Sequence, residues 1–488
     1  MKVSPILLLL AGIVLFGAPL MSAGKSHVIF ISIDDLNNWV GYLDQHPQAH
    51  TPNLDRLAQR GVAFTSAHCT TPVCKASRTA FLTGLSETKT GVYTNDDKFD
   101  HKAYTMLPEY FAAHGFTTYG AGKVHHQNIN DKIFQFGFEP EQRWSPFTRK
   151  QSNYTADELP SKGSENPRHA ITSGPGGRDY VMPFNRMPSE RTPDHPKGES
   201  FDWMAFDLPD SAFGDGQITD WALERLAAHG SDLPFFLALG YYRPHMPLYA
   251  PRKYFDMHPL RGIRLPDVLP DDLSDIPEPG LRRIFSALTA GSAATHQHVV
   301  SHDQWREAVQ AYLACISFID AQIGRLLDYL DSSPFADNTT IVLFSDHGWH
   351  LGEKQAWGKM TGWVHSTQTP LIISSPGMAQ GELCDAPVSL LDLYPTLIDL
   401  NDLPKKELDG ESLLPWLEDP SRKTDRVVKT FVGQGNYALS NQEWRYIRYD
   451  DDSEELYHLK SDPREYTNLI AAGDYSAIIA TLKQRTRE

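Results

Sequence analysis

His27-Val28-Ile29-Phe30-Ile31-Ser32-Ile33 runs directly into Asp34-Asp35. A short run of mostly apolar, β-branched residues without polar alternation is the pattern of a parallel strand buried on both faces, and here it ends abruptly in two carboxylates. The same arrangement returns late in the chain, where Thr340-Ile341-Val342-Leu343-Phe344-Ser345 ends in Asp346-His347-Gly348. A third apolar run, Pro234-Phe235-Phe236-Leu237-Ala238-Leu239-Gly240, ends in Tyr241-Tyr242-Arg243-Pro244-His245. Helical patterns alternate with these strands. Between Asp303 and Leu330, Cys315, Ile316, Ile319, Ile323, Leu326, Leu327 and Leu330 form one apolar stripe. Alternating strands and helices predict an α/β protein whose sheet is covered on both faces. In such sheets polar residues just past the strand ends gather at one edge, where ligands bind.

The 488 residues suffice to bury a large core. Met1 to Gly24 read as a secretory signal, with Lys2 as the charged start, Ile6 to Leu20 as the apolar stretch and Ser22-Ala23-Gly24 as the cleavage zone. Gly17 and Pro19 break the apolar run, which favours a cleaved signal over a membrane anchor. The expected product is secreted or periplasmic, with no stable membrane insertion after cleavage. Residues 25–420 are expected to form the catalytic domain and 421–488 a C-terminal subdomain. In the latter, Trp444-Arg445-Tyr446-Ile447-Arg448-Tyr449 alternates like a strand, Glu455-Leu456-Tyr457-His458-Leu459 follows an acidic turn, and Tyr475 to Arg487 reads as a helix. Gln127 to Ser200 is rich in Pro, Gly, Ser, Arg and Asp and reads as a long irregular insertion facing the substrate; Glu278 to His302 reads as a second insertion.

Four cysteines, Cys69, Cys74, Cys315 and Cys384, are too few for a disulfide-built scaffold, although a Cys315–Cys384 bridge is open on sequence grounds. The formal charge of −16 argues against nucleic acid or an anionic membrane as a partner. An anionic substrate would need a local cluster of Lys, Arg, His and metal to overcome that field. The two carboxylate-bearing strand ends suit a metal: a hard cation such as Ca²⁺ takes about 6–8 oxygen ligands. Asp34, Asp35 and Asp346 supply oxygens, with His347 beside them.

A second decisive segment is Thr71-Pro72-Val73-Cys74-Lys75-Ala76-Ser77-Arg78-Thr79, continuing into Ala80-Phe81-Leu82-Thr83-Gly84. Asn53 to Ala58 looks helical, Val62-Ala63-Phe64 strand-like, and Ser77 to Leu82 opens a second helix. Cys74 would then stand at a helix N-terminus, where N–H groups and the dipole favour an anion.

Cys74 followed by Ser77, Arg78 and Leu82-Thr83-Gly84 resembles the signature of the type I, formylglycine-dependent sulfatases. Other segments extend the likeness from about His27 to Asn468. Gly122-Lys123-Val124-His125-His126 is similar to the stretch carrying a sulfate-binding lysine and a histidine near the formylglycine. Gly240 to Pro247 is similar to the Pro-His stretch carrying another active-site histidine. Ser345 to Glu353 with Trp357-Gly358-Lys359 resembles the metal and lysine segment of the iduronate-2-sulfatase-like members, in which histidine stands where many sulfatases have Asn. The commonest motif has Pro two residues after the cysteine; Ala76 stands there, as in some bacterial sulfatases.

The resemblance implies an alkaline-phosphatase-like sulfatase fold, a large mixed sheet flanked by helices with a small C-terminal antiparallel-sheet subdomain. It implies a hydrolase that takes sulfate from a sulfated carbohydrate, one Ca²⁺ per chain, and a maturation enzyme that converts Cys74 to formylglycine. The implied catalytic set is Cys74, Arg78, Lys123, His126, His245 and Lys359, and the implied metal set is Asp34, Asp35, Cys74, Asp346 and His347. In that scheme Arg78 holds the hydrated aldehyde, Lys123 and Lys359 bind sulfate oxygens, His245 or Lys359 protonates the leaving oxygen, and His126 takes a proton from the hydrate. Two alternatives stand beside it. One is a phosphoester or phosphonate-ester hydrolase of the same superfamily; the other is a non-catalytic carbohydrate-binding protein, should Cys74 stay unconverted.

Overall fold

The computed structural model describes residues 25–127, 129–142, 146, 170–173, 179–187, 201–230, 233–285 and 296–486. The expected signal and most of the expected insertion between Gln127 and Ser200 lie outside the described residues. The strand His27–Ile33 (β1) occupies the middle of an eight-stranded sheet. The others are Val62–Phe64 (β2), Thr117–Gly122 (β3), Phe136–Phe138 (β4), Phe235–Tyr241 (β5), Thr339–Ser345 (β6), Leu371–Ser374 (β7) and Glu382–Cys384 (β8). Their order is β8-β2-β7-β6-β1-β5-β3-β4. Only β7 runs antiparallel to its neighbours, so the sheet is mixed as expected. β4 was expected to lie in irregular chain; Phe136-Gly137-Phe138 instead pairs with β3 and forms the sheet's edge. Three residues are too short a run to carry a periodic signal.

β1 is buried along its whole length because each face packs against a different layer. Ile29, Ile31 and Ile33 point into a core shared with the 27-residue helix Trp305–Asp331 and the helix Gly214–Ala228. Val28 and Phe30 point into the opposite core, with Phe81, Leu82 and Leu393. Cys315 belongs to the first core and Cys384 to the second, and all four cysteines are free. The bridge left open by the sequence is therefore absent.

The C-terminal sheet has four antiparallel strands, Val428–Phe431 (β9), Tyr437–Ser440 (β10), Trp444–Arg448 (β11) and Glu454–His458 (β12), in sequential order. The helix Ser476–Arg485 covers one of its faces through Leu482, Ile478 and Ile479. Its other face joins Ala438, Ile447, Tyr449 and Tyr457 to Ala356 and Trp363 of the main body. No described helix is long and apolar enough to cross a membrane.

Candidate active site

Register builds the site. Ile33 of β1 lies between Ser345 of β6 and Tyr241 of β5, so the three chains leave the sheet side by side. Asp34 N–H then donates to Tyr241 O at 3.1 Å and Asp346 N–H to Ile33 O at 3.1 Å. Asp35 N–H donates to Asp346 Oδ1 at 3.1 Å, which ties the two acidic strand ends together. Asp35 has φ 63°, left-handed for a residue with a side chain, and is held there from the long helix. Tyr312 O–H donates to Asp35 O at 2.6 Å and accepts from Asn37 N–H at 2.9 Å. Lys123 enters from β3. A Cβ on Gly240 would fall 2.0 Å from the Lys123 carbonyl carbon, so glycine lets the two strand ends meet.

Cys74 is the first residue of the helix Cys74–Thr83, every residue of which is buried. The preceding Val73 is extended, so the helix starts abruptly at the sheet edge; Lys75 N–H donates to Asn95 Oδ1 at 3.1 Å and Ser77 N–H to Val73 O at 3.0 Å. Ser77 O–H donates to Asp346 O at 2.6 Å. Arg78 lies one turn on and is fully buried; it donates from Nε to Asp346 Oδ2 at 2.8 Å, from Nη1 to Ser32 Oγ at 3.2 Å and to Lys123 O, and pairs with Asp34 Oδ1 at 3.4 Å. Its guanidinium thus locks the helix that begins at Cys74 to both acidic strand ends.

Lys359 Nζ lies 2.5 Å from Asp35 Oδ1 and 2.9 Å from Cys74 Sγ. His347 Nε2 is 3.4 Å from the same sulfur, and His126 also hydrogen-bonds it. Lys123 Nζ pairs with Asp34 Oδ2. His245 stands at the rim, with Nε2 3.9 Å from Asp35 Oδ2. The structure thus brings every sequence-predicted site residue to one sheet edge. The neighbouring histidines lie outside this cluster: His125 is pushed down to about 3 by burial and contacts Thr79, and His350 contacts Thr361. Ser32 and Tyr312 were not singled out from the sequence; they act through partners far away in the chain, which no local motif marks.

Electrostatics at this edge are strained in both directions. Burial disfavours a Cys74 thiolate, but Lys123, Lys359 and His347 more than offset it and hold the thiol well below its usual range. Burial also disfavours ionised Asp34, which Lys123 nonetheless keeps below the usual carboxylate range. Asp346 moves the other way: burial raises it, and the neighbouring Asp34 adds to the rise against Arg78. Asp34, Cys74, Asp346 and His347 offer ligand atoms that all lie within 4.8 Å of one another, and Asp35, Cys74 and His245 form a second such group. Asp35 Oδ2 is buried with no hydrogen-bond partner. Three converging carboxylates, one with an orphaned oxygen, fit a hard divalent cation with one imidazole beside it.

A family model described as sulfatase matches residues 26–403. A second, described as the C-terminal part of N-sulphoglucosamine sulphohydrolase, matches residues 352–488. A sulfatase of Formosa agariphila is 36% identical over 468 residues, covering 94% of this chain and 86% of that protein. Human iduronate 2-sulfatase is 31% identical over 365 residues, covering 72% of this chain and 60% of its own. Among solved structures, a phosphonate monoester hydrolase of Agrobacterium radiobacter superposes with a TM-score of 0.72 at 21% identity, covering 94% of this chain and 96% of that one. A protein in complex with its substrate D-glucosamine-2-N,6-O-disulfate superposes with a TM-score of 0.69 at 20% identity, covering 94% and 96%.

Proposed function

The chain belongs to the sulfatase family and is a sulfuric ester hydrolase; from that premise we propose that it removes sulfate from a sulfated carbohydrate, with residue 74 as formylglycine and one Ca²⁺ at the acidic strand ends. The observation that carries this reading is Cys74 at a helix N-terminus with Lys359 2.9 Å and His347 3.4 Å from its sulfur. The thiol stands where one hydroxyl of the hydrated aldehyde would be. Iduronate 2-sulfatase as a relative and a disulfated glucosamine as the substrate in a structural neighbour support the carbohydrate assignment. The leader-like residues 1–24 support secretion or periplasmic export.

A sulfate ester resists attack because its oxygens repel a nucleophile and its leaving alkoxide is basic. Asp34, Asp35, Asp346 and His347, with an oxygen of residue 74, would hold the cation, which when bound draws electron density from a sulfate oxygen and favours an ionised hydroxyl on residue 74. Arg78, expected to hold the hydrated aldehyde, instead directs its donors to Asp34, Asp346, Ser32 and the backbone of Lys123, and so fixes the carboxylates and the helix that carries residue 74. Lys123 and Lys359 bind two further sulfate oxygens and neutralise the charge that builds as the hydroxyl attacks sulfur. As the new O–S bond forms and the bond to the sugar oxygen breaks, His245 or Lys359 gives that oxygen a proton. His126 then takes a proton from the second hydroxyl of residue 74. The C=O bond re-forms, sulfate leaves, and hydration restores the diol.

Sulfate release by purified protein, assayed on sulfated oligosaccharides, choline sulfate, an aryl sulfate and an aryl phosphonate, tests the reading. The expected outcome is release from at least one oligosaccharide, its loss in Cys74→Ala, and a Cys74 peptide whose mass is that of formylglycine. Fast turnover of choline sulfate with none of any sugar sulfate defeats the carbohydrate claim. Activity that survives in Cys74→Ala defeats the mechanism.

A further inference from the structure

Lys359 sits on a loop that the C-terminal sheet grips from outside. The loop leaves the short strand Trp357–Gly358, passes through Met360 at φ 75°, and turns into the helix Val364–Thr367. A left-handed residue with a side chain persists only where its surroundings over-determine it. Here β11 and β12 supply much of that restraint. Arg445 Nη1 donates to Gly362 O at 3.1 Å and to Thr367 Oγ1 at 2.7 Å. Arg445 Nε pairs with Glu465 Oε1 at 2.7 Å, and Glu465 Oε2 accepts from Val364 N–H at 2.7 Å. Trp363 Nε1–H donates to Glu455 Oε2 at 2.8 Å. The Glu455 carboxylate is itself pinned by the hydroxyls of Tyr449 and Tyr457, each at 2.5 Å. Gly362 packs so tightly on Ile447 that a Cβ there would lie 2.9 Å from its side chain.

All of these charged groups are buried, so water cannot replace a lost partner. The same loop also backs the rest of the site. Ser366 O accepts from Gly348 N–H at 2.9 Å, next to His347, and Thr367 O accepts from Cys69 N–H at 2.9 Å on the segment leading to Cys74.

We infer that Glu455 and Arg445 of the C-terminal sheet are positioning residues for the reaction: gripping the loop at Trp363 and Gly362, they set where the Lys359 ammonium stands relative to Asp35 and residue 74. This rests on the reading that Lys359 meets the sulfate. Sub-ångström placement of such a group is worth a great deal, since a misplacement of about 1 Å can cost on the order of 10²-fold.

A double-mutant cycle on the matured enzyme with an aryl sulfate separates positioning from plain stabilisation. Trp363→Phe keeps an aromatic side chain while removing the donor to Glu455 and shrinking a fully buried indole to a phenyl ring, so activity is read per folded molecule; it is expected to lower kcat/KM by roughly 10- to 100-fold. In a Lys359→Ala background the same change is expected to cost less than about twofold, because the group it positions is gone. Glu455→Gln, which keeps an acceptor, is expected to retain most activity where Glu455→Ala does not, and Glu455→Ala carries the same cycle if Trp363→Phe fails to fold. Equal losses in both backgrounds, or no loss in the wild-type background, overturn the inference while leaving the sulfatase reading intact. A Lys359→Ala variant with full activity overturns both the inference and the reading that Lys359 meets the sulfate.

Discussion

Arg78 is a full positive charge with no exposure to solvent, tolerable only because its neighbours use nearly every donor. Asp346, Asp34, Ser32 and the Lys123 carbonyl surround it. A lysine would keep the charge but not the planar fork, so it could serve one carboxylate and abandon the other. Arg78→Lys is therefore expected to destabilise the protein by about 2–4 kcal/mol in urea unfolding and to remove most turnover, since the carboxylates it fixes are the ones proposed for the metal. A variant with wild-type unfolding and turnover would mean that the guanidinium geometry is dispensable. The contrast with the other thiols is chemical. Burial lifts Cys315 to about 12 and Cys384 to about 11, which leaves them inert packing, whereas Cys74 is held far below them by its lysines. Nothing in a cysteine's own letter distinguishes these three; the Ser-Arg that follows Cys74 does.

At the scale of elements, the strands that carry Asp34, Asp346 and His245 were legible because a buried parallel strand is a continuous apolar run and its end is abrupt. Cys74 at the start of a helix was legible from the motif's spacing. Tyr312 was not, because it lies mid-helix among apolar neighbours and reaches Asp35 across a sequence gap of 277 residues. Glu87 was missed for a related reason. It opens the one-turn helix Glu87–Thr90 yet is buried, and it accepts from Thr71 O–H at 2.6 Å on the loop before Cys74. Burial pushes its carboxyl up to about 7, against the pull of the Thr71 and Thr70 hydroxyls. Because the folded value exceeds the unfolded one, the stability this group contributes is fully present below pH about 4.5 and is lost as pH rises through about 7. Glu87→Gln removes the titration. Relative to wild type, the variant should therefore gain roughly 2–3 kcal/mol between pH 5 and pH 8, at about 1.4 kcal/mol per pH unit over the titrating range. Urea melts at the two pH values measure this, and an identical wild-type-to-variant difference at both would show that Glu87 does not titrate in that window.

Across the whole molecule, the α/β sheet and the small antiparallel sheet were both readable, but their mutual dependence was not, because it resides in side chains that cross between them. Pairing within β9 to β12 follows from local alternation. That Arg445, Glu455 and Glu465 reach back to residues 362–367 follows only from tertiary packing. A boundary at 420/421 thus separates two sheets while cutting through one buried network, and the family model that covers residues 352–488 groups Lys359 with the C-terminal sheet. β9 adds a further link: Phe431 N–H donates to Thr70 O at 2.7 Å and Thr430 O–H to Cys69 O at 2.7 Å, so the segment before Cys74 is also held from this side. A chain ending at Pro420 would expose Trp363, leave the Val364 N–H and the Trp363 indole without their carboxylate partners, and remove two of the hydrogen bonds that hold the 69–71 segment. Burial of one such indole contributes roughly 3 kcal/mol, and each lost buried hydrogen bond about 1 more, which is a large share of the total stability of any domain. The truncated protein is therefore expected to accumulate in the insoluble fraction or, where soluble, to melt about 10 °C or more below the full chain and to lack sulfatase activity. A soluble truncation with the full-length melting temperature would mean that the main sheet is self-sufficient and the C-terminal sheet a true appendage.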